Sequence, residues 1–126
     1  MKSYIQPQPR ILVVEDDALA LEALAYILEY EGYSVATARD GKRGLDILHQ
    51  SPRPCAVVLD LGLPIVDGFE FIRRQNEDPE MAGIPVIVIT ASYAPVVPEA
   101  AAILPKPLDI NELKEVLADC CTGVSH

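Results

Sequence analysis

The sequence has no long hydrophobic run and no secretion signal. Its longest apolar stretches lie at residues 55–59 and 84–89, whereas a helix needs about 18 apolar residues to cross a bilayer. The first ten residues, MKSYIQPQPR, contain no apolar core and no small-residue cleavage site. We therefore expect no membrane helix, no membrane partner and a cytoplasmic location.

Basic residues and cysteines are also scarce. Ten Lys and Arg face nineteen Asp and Glu, which gives a net charge of −9. This charge repels the phosphates of nucleic acids, so we expect no binding to DNA or RNA. The three cysteines, Cys55, Cys120 and Cys121, include no CxxC pair of the kind that binds metals or cycles between redox states. They are expected to be reduced thiols, Cys55 in a buried strand and the others on the last helix.

What the sequence does have is the size and composition of one globular domain. Its 126 residues are 50% hydrophobic and 23% charged, and they contain no internal repeat. Residues 10–121 are predicted to form this domain, with a flexible tail at residues 1–9 and a short one at residues 122–126.

Buried strands alternate with amphipathic helices along the chain. Almost wholly apolar runs predict strands at residues 11–14, 33–38, 55–59, 84–89 and 102–104. This alternation predicts an α/β fold, a doubly wound five-stranded parallel sheet with helices on both faces.

Helical spacing appears in four segments. Leu21, Leu24 and Leu28 precede Gly32, which suits a helix end. Asp40 and Gly41 predict a turn before a helix through Leu45 and Leu48. The other two helices are expected at residues 68–76, with Phe69, Ile72 and Phe71 as candidates for its inner face, and after Asp109, which with Glu112 forms a capping box.

Polar residues follow four of the five strands. They are Glu15 and Asp16, Asp60, Thr90 and Lys106. The carboxyl ends of parallel strands form one crevice in doubly wound folds, so these side chains should converge. Any single acid could simply end a strand, but three carboxylates in one crevice favour a bound cation, and hard oxygen ligands suit Mg²⁺.

Four motifs in this order resemble the response-regulator receiver (CheY-like) family. They are ILVVEDD at residues 11–17, VVLDLGLPIVDG at 57–68, VITAS at 88–92 and LPKP at 104–107. The resemblance covers residues 10–118. It implies the flavodoxin-like strand order 2-1-3-4-5 and a role in a two-component phosphorelay.

The resemblance also implies a nucleophile and a metal site. Asp60 would accept a phosphoryl group from a phosphohistidine or a small acyl phosphate. Glu15 and Asp16 would bind Mg²⁺ together with Asp60 and the backbone carbonyl of Gly62.

Three further residues would hold the phosphoryl oxygens in this family. They are Lys106, the hydroxyl of Thr90 and the amide of Ala91. Pro107 resembles the family's cis-proline, and Asp67 is expected to cap a helix rather than to bind a ligand. The implied partners are a sensor histidine kinase or a histidine phosphotransfer protein, and a downstream protein. The chain would catalyse its own phosphorylation and dephosphorylation without being a turnover enzyme.

Two other classes of protein use similar residues, but this sequence lacks a feature that each of them needs. Haloacid-dehalogenase phosphatases need a second aspartate where this chain has Gly62, and flavodoxins need a Ser/Thr/Gly-rich loop where this chain has Glu-Asp-Asp. A degenerate receiver that acts as a phosphorylation-independent docking module remains the alternative function.

The sequence departs from the family between Thr90 and Lys106. Only fifteen residues separate them, and Pro95 and Pro98 disfavour a helix there. The family's fourth helix should therefore be reduced or missing, with at most one turn at residues 98–101. The family's aromatic residue on the fifth strand is replaced by Ile103, which puts its usual readout in doubt.

The missing helix should leave apolar surface on the last two strands. Val96, Val97 and Ile103 are the candidates. They form an interface for a partner or a second copy, giving a homodimer, unless the loop with Tyr93, Pro95 and Pro98 folds back and fills the gap.

Overall fold

The computed structural model describes residues 8–50, 52–63, 66–91 and 97–121. The elements follow one another as β1 (Arg10–Val14), α1 (Ala18–Tyr30), β2 (Ser34–Ala38), α2 (Gly41–Leu48), β3 (Ala56–Asp60), α3 (Gly68–Glu77), β4 (Val86–Thr90), β5 (Ala102–Pro105) and α4 (Ile110–Cys121). All five predicted strands are present, each within two residues of its expected bounds. No helix in these ranges is both long and apolar enough to span a bilayer.

The five strands form one parallel sheet in the order β2-β1-β3-β4-β5. Leu12 of β1 lies opposite Ala36 on one side and Val57 on the other, and Val58 lies opposite Ile87. The predicted fold class and strand order are confirmed. β2 lies on one side of β1, and β3, β4 and β5 lie on the other. The strand order therefore reverses between β1 and β3, and ligands bind at this point in such sheets.

The sheet is buried on both faces, which is why its strands are almost wholly apolar. Successive side chains of a strand point to opposite faces. Leu12 and Val57 therefore pack towards α2 and α3, while Ile11 and Val58 pack towards α1 and α4. The two halves of the core hold the carboxyl ends of the central strands in place.

Aspartates cap the helices. Asp17 accepts hydrogen bonds from the amides of Leu19 and Ala20 at the start of α1. The Asp67 side chain accepts one from the Glu70 amide at the start of α3, as predicted, and Asp109 begins α4 in the same way. Each carboxylate satisfies amides that have no partner inside the helix.

Two local predictions for the helices are corrected. Asp40 and Gly41 do not form a separate turn, because Asp40 caps α2 and Gly41 is its first residue. Phe69 is 55% exposed, so the inner face of α3 is formed by Phe71 and Ile72 instead. Phe71 and Ile72 share the buried face of α3 with Gly68 and Gln75, and Phe69 lies on the side that faces solvent.

The segment before β5 contains one turn and no helix within residues 97–101. The Ala100 amide donates to the Val97 carbonyl at 3.0 Å, which agrees with the predicted loss of the family's fourth helix. Val97 is 6% exposed and packs in the core half below α2 and α3, so for this residue the structure agrees with the gap-filling alternative and not with an exposed patch. Ile103 is 37% exposed, and Val96 lies outside the described residues.

The expectation of three reduced thiols is also wrong. Cys55 and Cys121 form a disulfide across a sequence separation of 66 residues, with their Cα atoms 5.6 Å apart. Cys120 is the free thiol. Cys55 directly precedes β3 and Cys121 ends α4, and the two segments share one half of the core. Only the packing of α4 brings the two residues together.

Candidate functional site

The predicted site residues lie at the carboxyl ends of neighbouring strands. Asp60 and Thr90 are the last residues of β3 and β4, and both are buried. Lys106 directly follows β5, and its amide donates to the Thr90 carbonyl at 3.0 Å. Glu15 directly follows β1, and its amide donates to the Ala38 carbonyl at 3.0 Å. The hydrogen bonds between neighbouring strands thus continue past the strand ends. They fix the backbone of Glu15 and Lys106, from which the two side chains extend.

Three carboxylates form an acidic cluster there. Glu15, Asp16 and Asp60 each offer an oxygen within 4.8 Å of the others. Glu15 is 9% exposed and Asp60 is 8% exposed, whereas Asp16 is exposed. Like charges at this distance repel one another. The cluster therefore suits a hard cation that takes oxygen ligands, with the exposed side left open to water.

Lys106 provides a positive charge beside the cluster. Its Nζ lies 3.1 Å from Oδ2 of Asp60 and 3.7 Å from Oε1 of Glu15. Burial lowers the pKa of Lys106, but the hydrogen bond to Asp60 and the charges of Asp60, Glu15 and Asp16 outweigh burial and raise it above its ordinary value. Lys106 is therefore a charged group within reach of any anion that enters the pocket.

Backbone amides orient the two buried carboxylates. The Gly62 amide donates to Oδ1 of Asp60 at 3.0 Å, and the Asp17 amide donates to Oε2 of Glu15 at 3.1 Å. Asp60 thus presents one oxygen to an amide and the other to Lys106. Burial raises the pKa of Glu15 above its ordinary value; the Asp17 amide opposes this rise, and the charge of Asp60 adds to it.

The peptide bond between Lys106 and Pro107 is cis, as the motif predicted. It lies directly after β5, at the residue whose side chain reaches Asp60. Ala91 directly follows Thr90 at the same strand end and is exposed. Pro64, which the sequence placed in the loop after Asp60, lies outside the described residues.

Two contributors to the site were not predicted from the sequence. Arg39, at the end of β2, donates from Nη2 to the backbone carbonyl of Asp16 at 3.1 Å. Asp17 is the N-cap of α1, and its amide donates to Glu15. Its position four residues before Leu21, the first residue of the apolar face of α1, is a capping signal that could have identified it. The Arg39 contact spans 23 residues and had no signal of its own.

The fold and the site define a class of protein. A parallel sheet of order 2-1-3-4-5 carries an acidic pocket and a lysine at the point where its strand order reverses. Such a pocket can hold a divalent cation and an anion next to one buried carboxylate.

Comparison with known proteins identifies the family. The family described as "Response regulator receiver domain" matches residues 11–118, and the chain belongs to it. Response regulator MprA of Mycolicibacterium vanbaalenii is 40% identical over 112 residues, which are 82% of this chain and 46% of the relative. Its counterpart in Mycobacterium avium is 39% identical over 112 residues, 82% of this chain and 47% of the relative. The chain thus spans about half the length of these curated relatives.

Solved structures with the same fold are numerous. A sensor protein from Polaromonas sp. JS666 matches with a TM-score of 0.84 and 27% identity, over 93% of this chain and 98% of that chain. The receiver domain of a sensor histidine kinase from Pseudomonas aeruginosa PAO1, described with a magnesium ion coordinated in its active site cleft, has a TM-score of 0.80 and 26% identity. That match covers 89% of this chain and 96% of the other.

Proposed function

We propose that this receiver domain accepts a phosphoryl group on Asp60 in a Mg²⁺-dependent reaction and signals by binding another protein. The observation that carries the proposal is the contact between Lys106 Nζ and Asp60 Oδ2 at 3.1 Å, beside an acidic cluster. Glu15 and Asp60 are both buried members of this cluster, and Asp60 has the shorter contact with Lys106, 3.1 Å against 3.7 Å. Asp60 therefore combines a nucleophilic oxygen with the charges that an incoming phosphoryl group needs.

Glu15, Asp16 and Asp60 would hold the Mg²⁺, together with the backbone carbonyl of Gly62. Their hard oxygen atoms fit this ion, and the exposed side of Asp16 leaves room for the waters that Mg²⁺ keeps. When bound, the ion neutralises the negative charges that would keep a carboxylate and a phosphoryl group apart.

The side chains of the chain itself account for the transfer. A carboxylate oxygen of Asp60 attacks the phosphorus, and the bond from phosphorus to the donor breaks with its electron pair leaving on the donor. The donor atom is a histidine nitrogen or the oxygen of a small acyl phosphate. Lys106 exchanges its contact with Asp60 for one with a phosphoryl oxygen, and the Thr90 hydroxyl and Ala91 amide bind the others.

The partners follow from this chemistry. The donor is the phosphohistidine of a sensor histidine kinase or a histidine phosphotransfer protein, and the signal passes to a downstream protein. The net charge of −9 argues against direct contact with nucleic acid. A cytoplasmic location completes the proposal, since phosphohistidine donors of this kind act there.

The proposal is tested by intact-mass measurement after incubation with acetyl phosphate and MgCl₂. We expect one phosphoryl adduct on the wild-type chain, none on Asp60→Asn, and none on the wild type in excess EDTA. Asp67→Asn is the matched control, because Asp67 only caps α3 and asparagine caps helices equally well. This variant should carry the full adduct.

Two outcomes would contradict the proposal. A full adduct on Asp60→Asn would assign the wrong nucleophile, and an unchanged reaction in EDTA would exclude the metal role. A folded wild-type chain that takes no phosphoryl group at all would favour the docking module that works without phosphorylation.

A further inference from the structure

The three cysteines lie away from the acidic pocket. Cys55 precedes β3 at the amino ends of the strands, whereas Asp60 ends the same strand. Five residues of extended chain separate them, which is about 16 Å. A chemical change at Cys55 therefore leaves the atoms around Asp60 in place.

We propose that Cys55 and Cys121 form a reversible redox site, which crosslinks α4 to the residue before β3 when oxidised and leaves α4 held by its core packing alone when reduced. The two residues are bonded in the structure, with Cα atoms 5.6 Å apart. This spacing lies within the normal range for disulfides. The proposal does not depend on the phosphoacceptor role of Asp60.

The packing of α4 explains why these two thiols find each other. Leu113, Leu117 and Cys121 are its buried residues, and a spacing of four places them on one helix face. This face packs in the core half that also contains Cys55. The Cys55 amide donates to the Arg10 carbonyl at 2.8 Å, which fixes the other partner. Both thiols are therefore held in position before any bond forms.

Cys120 is the neighbouring thiol that does not pair. It sits beside the buried face of α4 and is half-buried. Burial, with the charge of Asp119, raises the pKa of Cys120 above its ordinary value. A smaller thiolate fraction makes a thiol less reactive. Cys120 is thus an internal control for the selectivity of the pair.

The oxidant would be a low-molecular-weight disulfide such as oxidised glutathione. The thiolate of Cys55 attacks first, because Cys55 is half-buried whereas Cys121 is 5% exposed. This step forms a mixed disulfide and releases one glutathione thiolate. The Cys121 thiolate then attacks the sulfur of Cys55 and releases the second glutathione. Two electrons and the two thiol protons end on two glutathione molecules.

The bond closes a long loop and should change stability strongly. A crosslink between residues 66 positions apart removes much of the freedom of the unfolded chain. We expect the oxidised chain to melt about 10 °C higher than the reduced one. Hydrogen exchange should slow most in the last turns of α4. In a reducing cytoplasm the bond would form only under oxidation, as is usual for redox-sensing disulfides.

The test maps thiols on the full chain after equilibration with mixtures of oxidised and reduced glutathione. Free thiols are alkylated and peptides are identified by mass. In oxidised glutathione we expect a Cys55–Cys121 link and an alkylated Cys120. After return to reduced glutathione, without denaturant, all three cysteines should be alkylated.

Two variants sharpen the test. Cys121→Ala should stop after the first step and keep one glutathione adduct on Cys55, whereas Cys120→Ala should form the link and keep the shift in melting temperature. Thiol mapping of the wild-type chain tests the Cys55–Cys121 link even where a variant folds poorly. Alkylation of all three cysteines in oxidised glutathione would overturn the proposal. So would a Cys55–Cys120 link, or a bond that opens only in denaturant.

Discussion

At the scale of single residues, Asp60 is buried, but position 62 beside it carries no side chain. Asp60 makes one contact with Lys106 and one with the Gly62 amide. Gly62 places no side chain beside Asp60. A Cβ placed there would have one neighbour within 4 Å, Oδ1 of Asp60 at 3.7 Å. The space beside Asp60 is therefore open to water.

This opening predicts the lifetime of a phosphoryl group on Asp60. Gly62→Met should lengthen it severalfold, because a long apolar side chain at this position shields the phosphorus from attacking water. The substitution keeps the backbone amide that holds Asp60. The lifetime is measured as the decay of the phosphorylated mass after the phosphate donor has been removed.

Gly83→Met is the matched control for this change. Gly83 also has open space around its Cα, and it lies in the loop before β4, away from Asp60. Its replacement should leave the decay rate unchanged. A lifetime in Gly62→Met equal to or shorter than that of the wild type would count against shielding by position 62.

At the scale of elements, the start of α3 supports the loop that follows Asp60. Asp67 caps this helix, and the amide of Gly68 donates to the Leu61 carbonyl at 3.1 Å. A Cβ on Gly68 would lie 2.6 Å from the Cα of Leu61. Position 68 therefore needs glycine, because its backbone lies close to the backbone of Leu61. Leu61 is the residue that follows the nucleophile Asp60.

Gly68→Ala should destabilise the protein despite the better helix propensity of alanine. The backbone around Leu61 cannot yield cheaply, so we expect a loss of about 1–3 kcal/mol, the usual cost of overpacking. Urea unfolding measures the change. Gly83→Ala, in open space, should stay within about 0.5 kcal/mol of the wild type. Equal stabilities of the two variants would refute the close packing at Gly68.

At the scale of the whole molecule, the described residues 97–101 of the connection between β4 and β5 contain a single turn and no helix. Val97 folds into the core half beneath α2 and α3, with Pro98 and Glu99 in the turn that follows it. This arrangement favours the gap-filling interpretation of the segment over the interface. Homodimer formation through this face is a separate prediction that light scattering tests.

Val97→Ser should cost stability and leave the molecular mass unchanged. A buried hydroxyl replaces two packed methyl groups, so we expect a loss of about 1–3 kcal/mol. Ile103→Ser is the control, because Ile103 is 37% exposed and its replacement should cost less. If Val97→Ser kept the stability of the wild type and associated less in light scattering, this result would support the interface interpretation and contradict gap filling.

The amino-acid sequence was sufficient to predict the strands and the polar residues at their carboxyl ends. Apolar runs specify the strands because strands covered on both faces need no polar residues. Glu15, Asp60 and Lys106 could be found because each directly follows or ends such a run. Parallel strands bring their carboxyl ends to one edge, so position along the chain was enough to predict convergence there.

Contacts between distant segments depend on how the helices pack onto the sheet. The Cys55–Cys121 bond, the contact of Arg39 with Asp16 and the burial of Val97 join parts of the chain that no periodicity relates. The exposure of Phe69 depends on which side of α3 packs against the sheet, and counting apolar residues does not decide this. Local patterns record which face of an element is apolar, whereas the packing of elements against one another selects the neighbour of each side chain.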